Sequence, residues 1–199
     1  MLKYPNLILT LINQLQQLPG VGKKTAERFV FQILTWEENQ LNSLSKNLSL
    51  IKQKINFCLN CGCLIEENYC EFCDTTKRNK KIICIVSSPK DVYLINNTNS
   101  YNGFFHVIKN LLSPMDDFNE NELELTKIKK RIEDNNTIEL IIALDSSLEG
   151  DATSLYIKQY LSSLPVKISR IAFGIPLGSS LDYIDEGTLC KSFLGRQQF

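Results

Sequence analysis

The stretch IELIIALDSSLEGDATSLYIKQYL, Ile138 to Leu161, decides the fold. Residues 138–144 are apolar almost without interruption and read as a buried strand, DSSLEGDA as a polar loop, and DATSLYIKQYLSSL, residues 151–164, as a helix. A strand apolar on both alternating positions is buried on both faces, as happens when helices cover a parallel sheet on either side. The same grammar recurs around it. IICIV (82–86), FFHVI (104–108) and KISRIAF (167–173) read as further strands, while ELELTKIKKRIE (122–133) and DEGTLCKSFL (185–194) read as helices. Ser88 and Pro89 fit the N-cap and first position of another helix. Such alternation predicts a small, mainly parallel sheet covered on both faces. Loops at the carboxyl ends of such strands are where sites form, which singles out SSPKD and the acids Asp145, Glu149 and Asp151, oxygen donors of the kind that hold magnesium.

Upstream the chemistry changes. CLNCGCLIEENYCEFC holds Cys58 and Cys61 with two residues between them, then Cys70 and Cys73 with two between them. Two such pairs supply the four thiolates of a closed tetrahedral zinc centre, which folds a segment and leaves no position open for catalysis. Disulfides are the weaker reading for a chain expected in the cytoplasm, where thiols stay reduced. Cys63 falls outside the paired spacing and is left out of the ligand set.

Further upstream, LILTLINQLQQ and KKTAERFVFQIL carry helical apolar spacing, and LPGVG, Leu18 to Gly22, joins them. Pro19 stops the first helix, Gly20 and Gly22 allow unusual backbone angles, and Lys23 opens the second helix. Free N–H groups at that helix start suit a phosphate, and Lys23, Lys24 and Arg28 add positive charge. A third pattern, Leu41, Leu44, Leu48, Ile51 and Ile55, steps by three and four residues and reads as core, either within the domain or against another subunit.

The net charge of zero hides a gradient: residues 1–57 carry seven basic and three acidic groups, residues 82–199 eleven basic and fifteen acidic. The positive end is the place to meet a polyanion. Apolar content of 43% and charged content of 22% are those of a globular chain. No stretch approaches the roughly 18 apolar residues of a membrane span. The opening MLKYPNLILTLINQL is cut by Pro5, Asn6 and Asn13, so no cleavable leader and no membrane attachment is expected. His106, Cys84 and Cys190 read as packed residues, and Lys127, Lys129, Lys130 and Arg131 as a solvated helix face. The segment GIPLGSSLDYID lacks G-K-[ST], so it gives only weak support to nucleotide binding.

The spacing in LPGVGKKTA resembles the helix-hairpin-helix motif of sequence-independent DNA-binding proteins. A strand followed by Glu149-Gly150-Asp151 resembles the Toprim pattern of topoisomerases, primases and some nucleases, with Ser87 standing where that pattern has a glutamate. Taken in order, LPGVGKKTAERF, the cysteine spacing, SPKDV, LLSPMD, LEGDAT and the GIPLG and LDYIDEGTL tail make the chain similar over essentially its whole length to the RecR family of bacterial recombination mediators. That resemblance implies a dimer or tetrameric ring that encircles or clamps DNA, and partnership with RecO and RecF in helping a recombinase load onto gapped DNA. The family commonly has N-P-T where Asp145, Ser146 and Ser147 stand, and a glycine-containing stretch where Ile108, Lys109 and Asn110 stand.

The expected fold is α+β in several parts: a helix-hairpin-helix region over 1–56, a four-cysteine zinc finger over 57–78, a Toprim-like α/β domain over 79–175 and an oligomerisation segment over 176–199. Gly20, Gly22, Lys23, Lys24 and Arg28 are the expected contacts to DNA, single- or double-stranded, and Cys58, Cys61, Cys70 and Cys73 the zinc ligands. Asp145, Glu149 and Asp151 are expected to serve partner contact, with weak Mg2+ binding as their other role. With Ser87 unable to supply an anionic ligand, a two-metal phosphoryl-transfer site lacks a carboxylate, so a non-enzymatic scaffold is favoured over a magnesium-dependent Toprim nuclease or primase-like enzyme.

Overall fold

The computed structural model describes residues 4–112, 124–172 and 174–196, and the chain divides into two compact units, 1–54 and 55–199. In the first, α1 (Asn6–Leu15) and α2 (Lys23–Ile33) pack through Ile8, Ile12, Ala26 and Val30. Between them the Val21 N–H donates to the Leu18 carbonyl at 3.1 Å, and Gly20 has φ +77°. Proline second and a positive φ third is the pattern of a type II turn, so a side chain at position 20 would be strained. The helix α3 (Glu38–Lys54) buries none of its residues. Its stripe, with Ile55 beyond it, is exposed by 36% or more at each of Leu41, Leu44, Leu48, Ile51 and Ile55. The reading of that stripe as intradomain core is therefore corrected: the core that α1 and α2 form closes without it.

The second unit opens with a short antiparallel pair, β1 (Ile55–Phe57) and β2 (Leu64–Glu66), and a one-turn helix over Glu71–Cys73. The main sheet follows: β3 (Asn79–Val86), β4 (Gly103–Val107), β5 (Glu139–Ala143) and β6 (Lys167–Arg170), all parallel, in the order β4-β3-β5-β6. Helices α4 (Pro89–Asn97), α5 (Leu125–Asn135), α6 (Leu148–Tyr160) and α7 (Glu186–Leu194) alternate with these strands or follow them. Because side chains alternate along a strand, β3 feeds two cores. Ile83 and Ile85 meet Ile128 and Ile132 of α5 and Ile157 of α6; Cys84 and Val86 meet Val92 of α4 and the cysteine-rich segment. The sheet is thus covered on both faces, one of them partly by the segment that carries the four cysteines.

Ser88 caps α4 as expected, its hydroxyl accepting from the Lys90 N–H at 3.2 Å with Pro89 next. The helix expected over 151–164 starts earlier, at Leu148, because the Ser147 hydroxyl accepts from the Gly150 N–H at 3.1 Å and caps it. Glu149 and Asp151 therefore sit on the first turn of a helix and not in a loop. Segment LLSPMD lies mostly outside the described residues, as do Glu122 and Leu123 at the start of the expected helix over 122–133. Cys84 is buried, but Cys190 is exposed, a correction to its expected packing: α7 has no buried residue. Among the described residues no helix is long and apolar enough to cross a membrane.

Candidate metal centre and candidate nucleic-acid interface

The sulfurs of Cys58, Cys61, Cys70 and Cys73 all lie within 4.8 Å of one another. Cys58 to Cys73 is 3.9 Å and Cys61 to Cys70 is 3.5 Å. A tetrahedron with Zn–S bonds of about 2.3 Å has edges of about 3.8 Å, so the four thiols fit one zinc ion. The first pair is set by a tight loop: the Cys58 N–H donates to the Cys63 carbonyl and the Gly62 N–H to the Cys58 carbonyl, each at 2.8 Å. In the second pair the Cys73 N–H donates to the Cys70 carbonyl at 3.2 Å. Crowding divides the thiols electrically: contact with Cys63 pushes the Cys61 thiol up, contact with Cys61 pushes Cys73 up, and contact with Cys61 holds Cys70 far down. Four thiolates this close repel unless a cation sits among them. Cys63 is fully buried and packs in the core beside the four without being one of them.

This segment is built into the sheet. Phe72, between the last two cysteines, meets Phe105 of β4 and Tyr93 of α4 edge to face, at 5.6 Å and 5.5 Å between centroids. β4 is an edge strand, and an unpaired edge is a place for unwanted pairing. Here three of its outward groups are taken: Val107 N–H donates to the Cys61 carbonyl at 2.8 Å, Arg78 donates to the Gly103 carbonyl at 3.2 Å, and Arg131 donates to the Phe105 carbonyl at 2.5 Å. Arg131 also donates to the Cys73 sulfur at 3.4 Å and stands 3.3 Å from Nδ1 of His106. Its place in a solvated face is therefore corrected: α5 turns it inward, although Lys127 and Lys130 stay exposed. His106 is buried in the core and its pKa is lowered to about 3 by burial first and by the Arg131 charge second, so the imidazole is neutral and Nδ1 can accept.

The acids after β5 do not converge on a cation site. Asp151 pairs with Arg170 at 2.6 Å and with Lys191 of α7 at 3.7 Å, and the Arg170 contact holds its carboxyl below the usual range. Glu149 is lowered by its own backbone N–H and by Ser147, while Asp145 is exposed. Ser87 donates to Asp91 at 3.3 Å. Among the described residues only the four cysteines form a group of three or more candidate metal ligands. Gly150 lies between Glu149 and Asp151 for a steric reason: a Cβ there would stand 2.0 Å from the Asp145 carbonyl oxygen. Gly150→Ala is accordingly expected to cost about 1–3 kcal/mol of stability, read as a lower urea midpoint at unchanged slope. An unchanged midpoint would refute that account of the loop.

In the first unit, α2 begins at Lys23 with Gly22 as N-cap, φ −78° and ψ 170°, and no side chain caps it. Lys23, Lys24 and Arg28 are exposed. No acid stands in the first turn; cations occupy the positive end of the helix dipole, an arrangement that favours an anion nearby. Gly22 has an ordinary φ, and a Cβ there would meet open space, so nothing within its own chain demands glycine. A bare backbone does allow close approach by a ligand.

Comparison with known proteins covers nearly the whole chain. The RecR helix-hairpin-helix family model matches residues 8–51, that of the Toprim domain residues 81–172, and that of the RecR C-terminal region residues 174–197. The chain is 47% identical to the recombination protein RecR of Protochlamydia amoebophila over 198 residues, all of both chains. It is 43% identical to that of Chlamydia felis and 42% identical to that of Chlamydia trachomatis serovar D, each over 201 aligned positions and the full length of both chains. The parallel sheet and the helical hairpin agree with these matches, and the chain belongs to the RecR family of recombination proteins, which supports a role in recombinational repair.

Proposed function

We propose that the protein is a non-enzymatic, sequence-independent DNA-binding scaffold of the cytoplasm that acts with RecO and RecF to help a recombinase load onto gapped DNA. The observation that carries this reading is the uncapped start of α2, where free N–H groups, the bare Gly22 backbone and the exposed Lys23, Lys24 and Arg28 face outward together. Gly20 supports it by holding the turn that presents them. Such groups grip phosphate and read no base. One hairpin binds weakly; several on a dimer or tetrameric ring share an effective concentration. The exposed α3 stripe, and Leu177, Leu181, Tyr183, Phe193 and Leu194 near the carboxyl end, are apolar surface available for that assembly.

In this reading residues 1–56 bind DNA, 57–78 hold one structural Zn2+ through Cys58, Cys61, Cys70 and Cys73, 79–175 dock partners and 176–199 join subunits. Asp145, Glu149 and Asp151 belong to the docking surface. The engagement of Asp151 by Arg170 and Lys191 supports this over Mg2+-dependent chemistry. Incubation of the pure protein with gapped DNA and magnesium tests the choice. The scaffold reading predicts no cleavage and no synthesis by the wild type; either activity, lost in Asp151→Ala, would establish the nuclease or primase-like alternative instead.

A further inference from the structure

The two outer nitrogens of Arg131 reach three groups on two elements. Nη1 serves the Phe105 carbonyl at 2.5 Å and lies 3.3 Å from the neutral His106 ring on β4, and Nη2 serves the Cys73 sulfur at 3.4 Å. The guanidinium also lies 5.2 Å from the centre of the Phe104 ring. The helix that carries it buries Leu125, Ile128 and Ile132, and Arg131 stands beside that buried face. The planar guanidinium can serve two acceptors at once in fixed directions.

A zinc ion held by four thiolates bears a net charge of about −2, which is costly in a partly buried place unless a donor or cation stands in the outer shell. Charge-assisted hydrogen bonds are roughly twice as strong as neutral ones. We propose that Arg131 is a positioning residue of the metal centre: it neutralises and orients the Cys73 thiolate, and through its bond to Phe105 it couples metal loading to the edge strand of the sheet. The inference rests on the reading of the four cysteines as a zinc site. It assigns to α5 a part of the metal centre that no cysteine spacing contains.

The test compares full-length wild type, Arg131→Met, Arg131→Lys and Ile128→Ala, each loaded with zinc, by competition with a chromophoric chelator in native buffer. Arg131→Met is expected to bind zinc about 10–100-fold more weakly. Arg131→Lys should fall between, since one ammonium keeps the charge but cannot reproduce the fork. Ile128→Ala, which removes packing from the same helix, should lower the melting temperature while leaving zinc affinity close to wild type. Equal zinc affinity in wild type and Arg131→Met, or an equal loss in Ile128→Ala, would overturn the proposal and leave Arg131 a packing strut. If Arg131→Met does not fold, Arg131→Lys decides: weaker zinc binding supports the proposal and unchanged binding overturns it. A wild type that binds no zinc at all would instead sink the metal reading, and this inference with it.

Discussion

Cys61→Ser is expected to lose zinc and, with it, the order of the sheet edge. Structural zinc contributes apparent binding energies of about 10–16 kcal/mol in small domains. Only part of that is needed to hold a chain whose other core survives, so a loss of about 5 kcal/mol or more is the working figure, a fall in melting temperature on the order of 10–20 °C for a unit of this size. The location of the loss matters more than its size. The Cys61 carbonyl accepts from Val107, and Phe72 packs on Phe105, so the amides of β4 should exchange with solvent far faster once the metal is gone. Protection along β5, which has β3 and β6 as neighbours, should fall less. Cys63→Ser, outside the gathered four, should keep one zinc per chain. Metal content by mass spectrometry with hydrogen exchange resolves all of this. A zinc-free Cys61→Ser protein with wild-type melting and wild-type protection at Val107 would show that the cysteines organise nothing.

The second large effect concerns the hairpin. Lys23→Glu combined with Arg28→Glu removes two cations and installs two anions at the start of α2, where the helix dipole already favours negative ligands. Each phosphate contact contributes a slope of about −0.9 in the logarithm of affinity against the logarithm of salt, so near 0.1 M salt each is worth about tenfold. Loss of two contacts predicts about 100-fold weaker binding per hairpin and a salt slope shallower by about two. Neither change touches the α1/α2 core, which is made by Ile8, Ile12, Ala26 and Val30, so the melting temperature should hold. Titration of gapped duplex at several salt concentrations gives both numbers. Undiminished binding by the double variant would transfer the DNA contact elsewhere, or favour a zinc-dependent adaptor that binds only protein.

Much of the fold was legible because its signals are local. Strand and helix alternate along the second unit with the right lengths, Ser88-Pro89 marks a helix start, and the two C-x2-C pairs announce one centre that the sulfur geometry then supplies. What escaped reading depends on groups far apart in the chain. Arg131 looks like one more cation in KIKKRIE, and only the phase of α5 against Ile128 and Ile132 hints that it borders the buried face. Its partners, Cys73 and Phe105, are 58 and 26 residues away, so no spacing rule could link them. The ion pairing of Asp151 escapes for the same reason: Arg170 and Lys191, which neutralise it, come from β6 and α7. The capping power of Ser147 was visible in principle, since a serine directly before Leu-Glu-Gly-Asp is a good helix start, and it would have placed both acids on a helix. The stripe on α3 shows the limit of periodicity: spacing says that one face is apolar but not what covers it.

Phosphate contacts multiplied by self-association carry the proposed DNA binding. Solution mass by light scattering, with and without gapped duplex, at about 50 mM and about 200 mM salt, tests both at once. The proposed binding predicts an oligomer that carries the duplex at the lower salt and releases it at the higher. A strictly monomeric protein that ignores gapped DNA at the lower salt would contradict it.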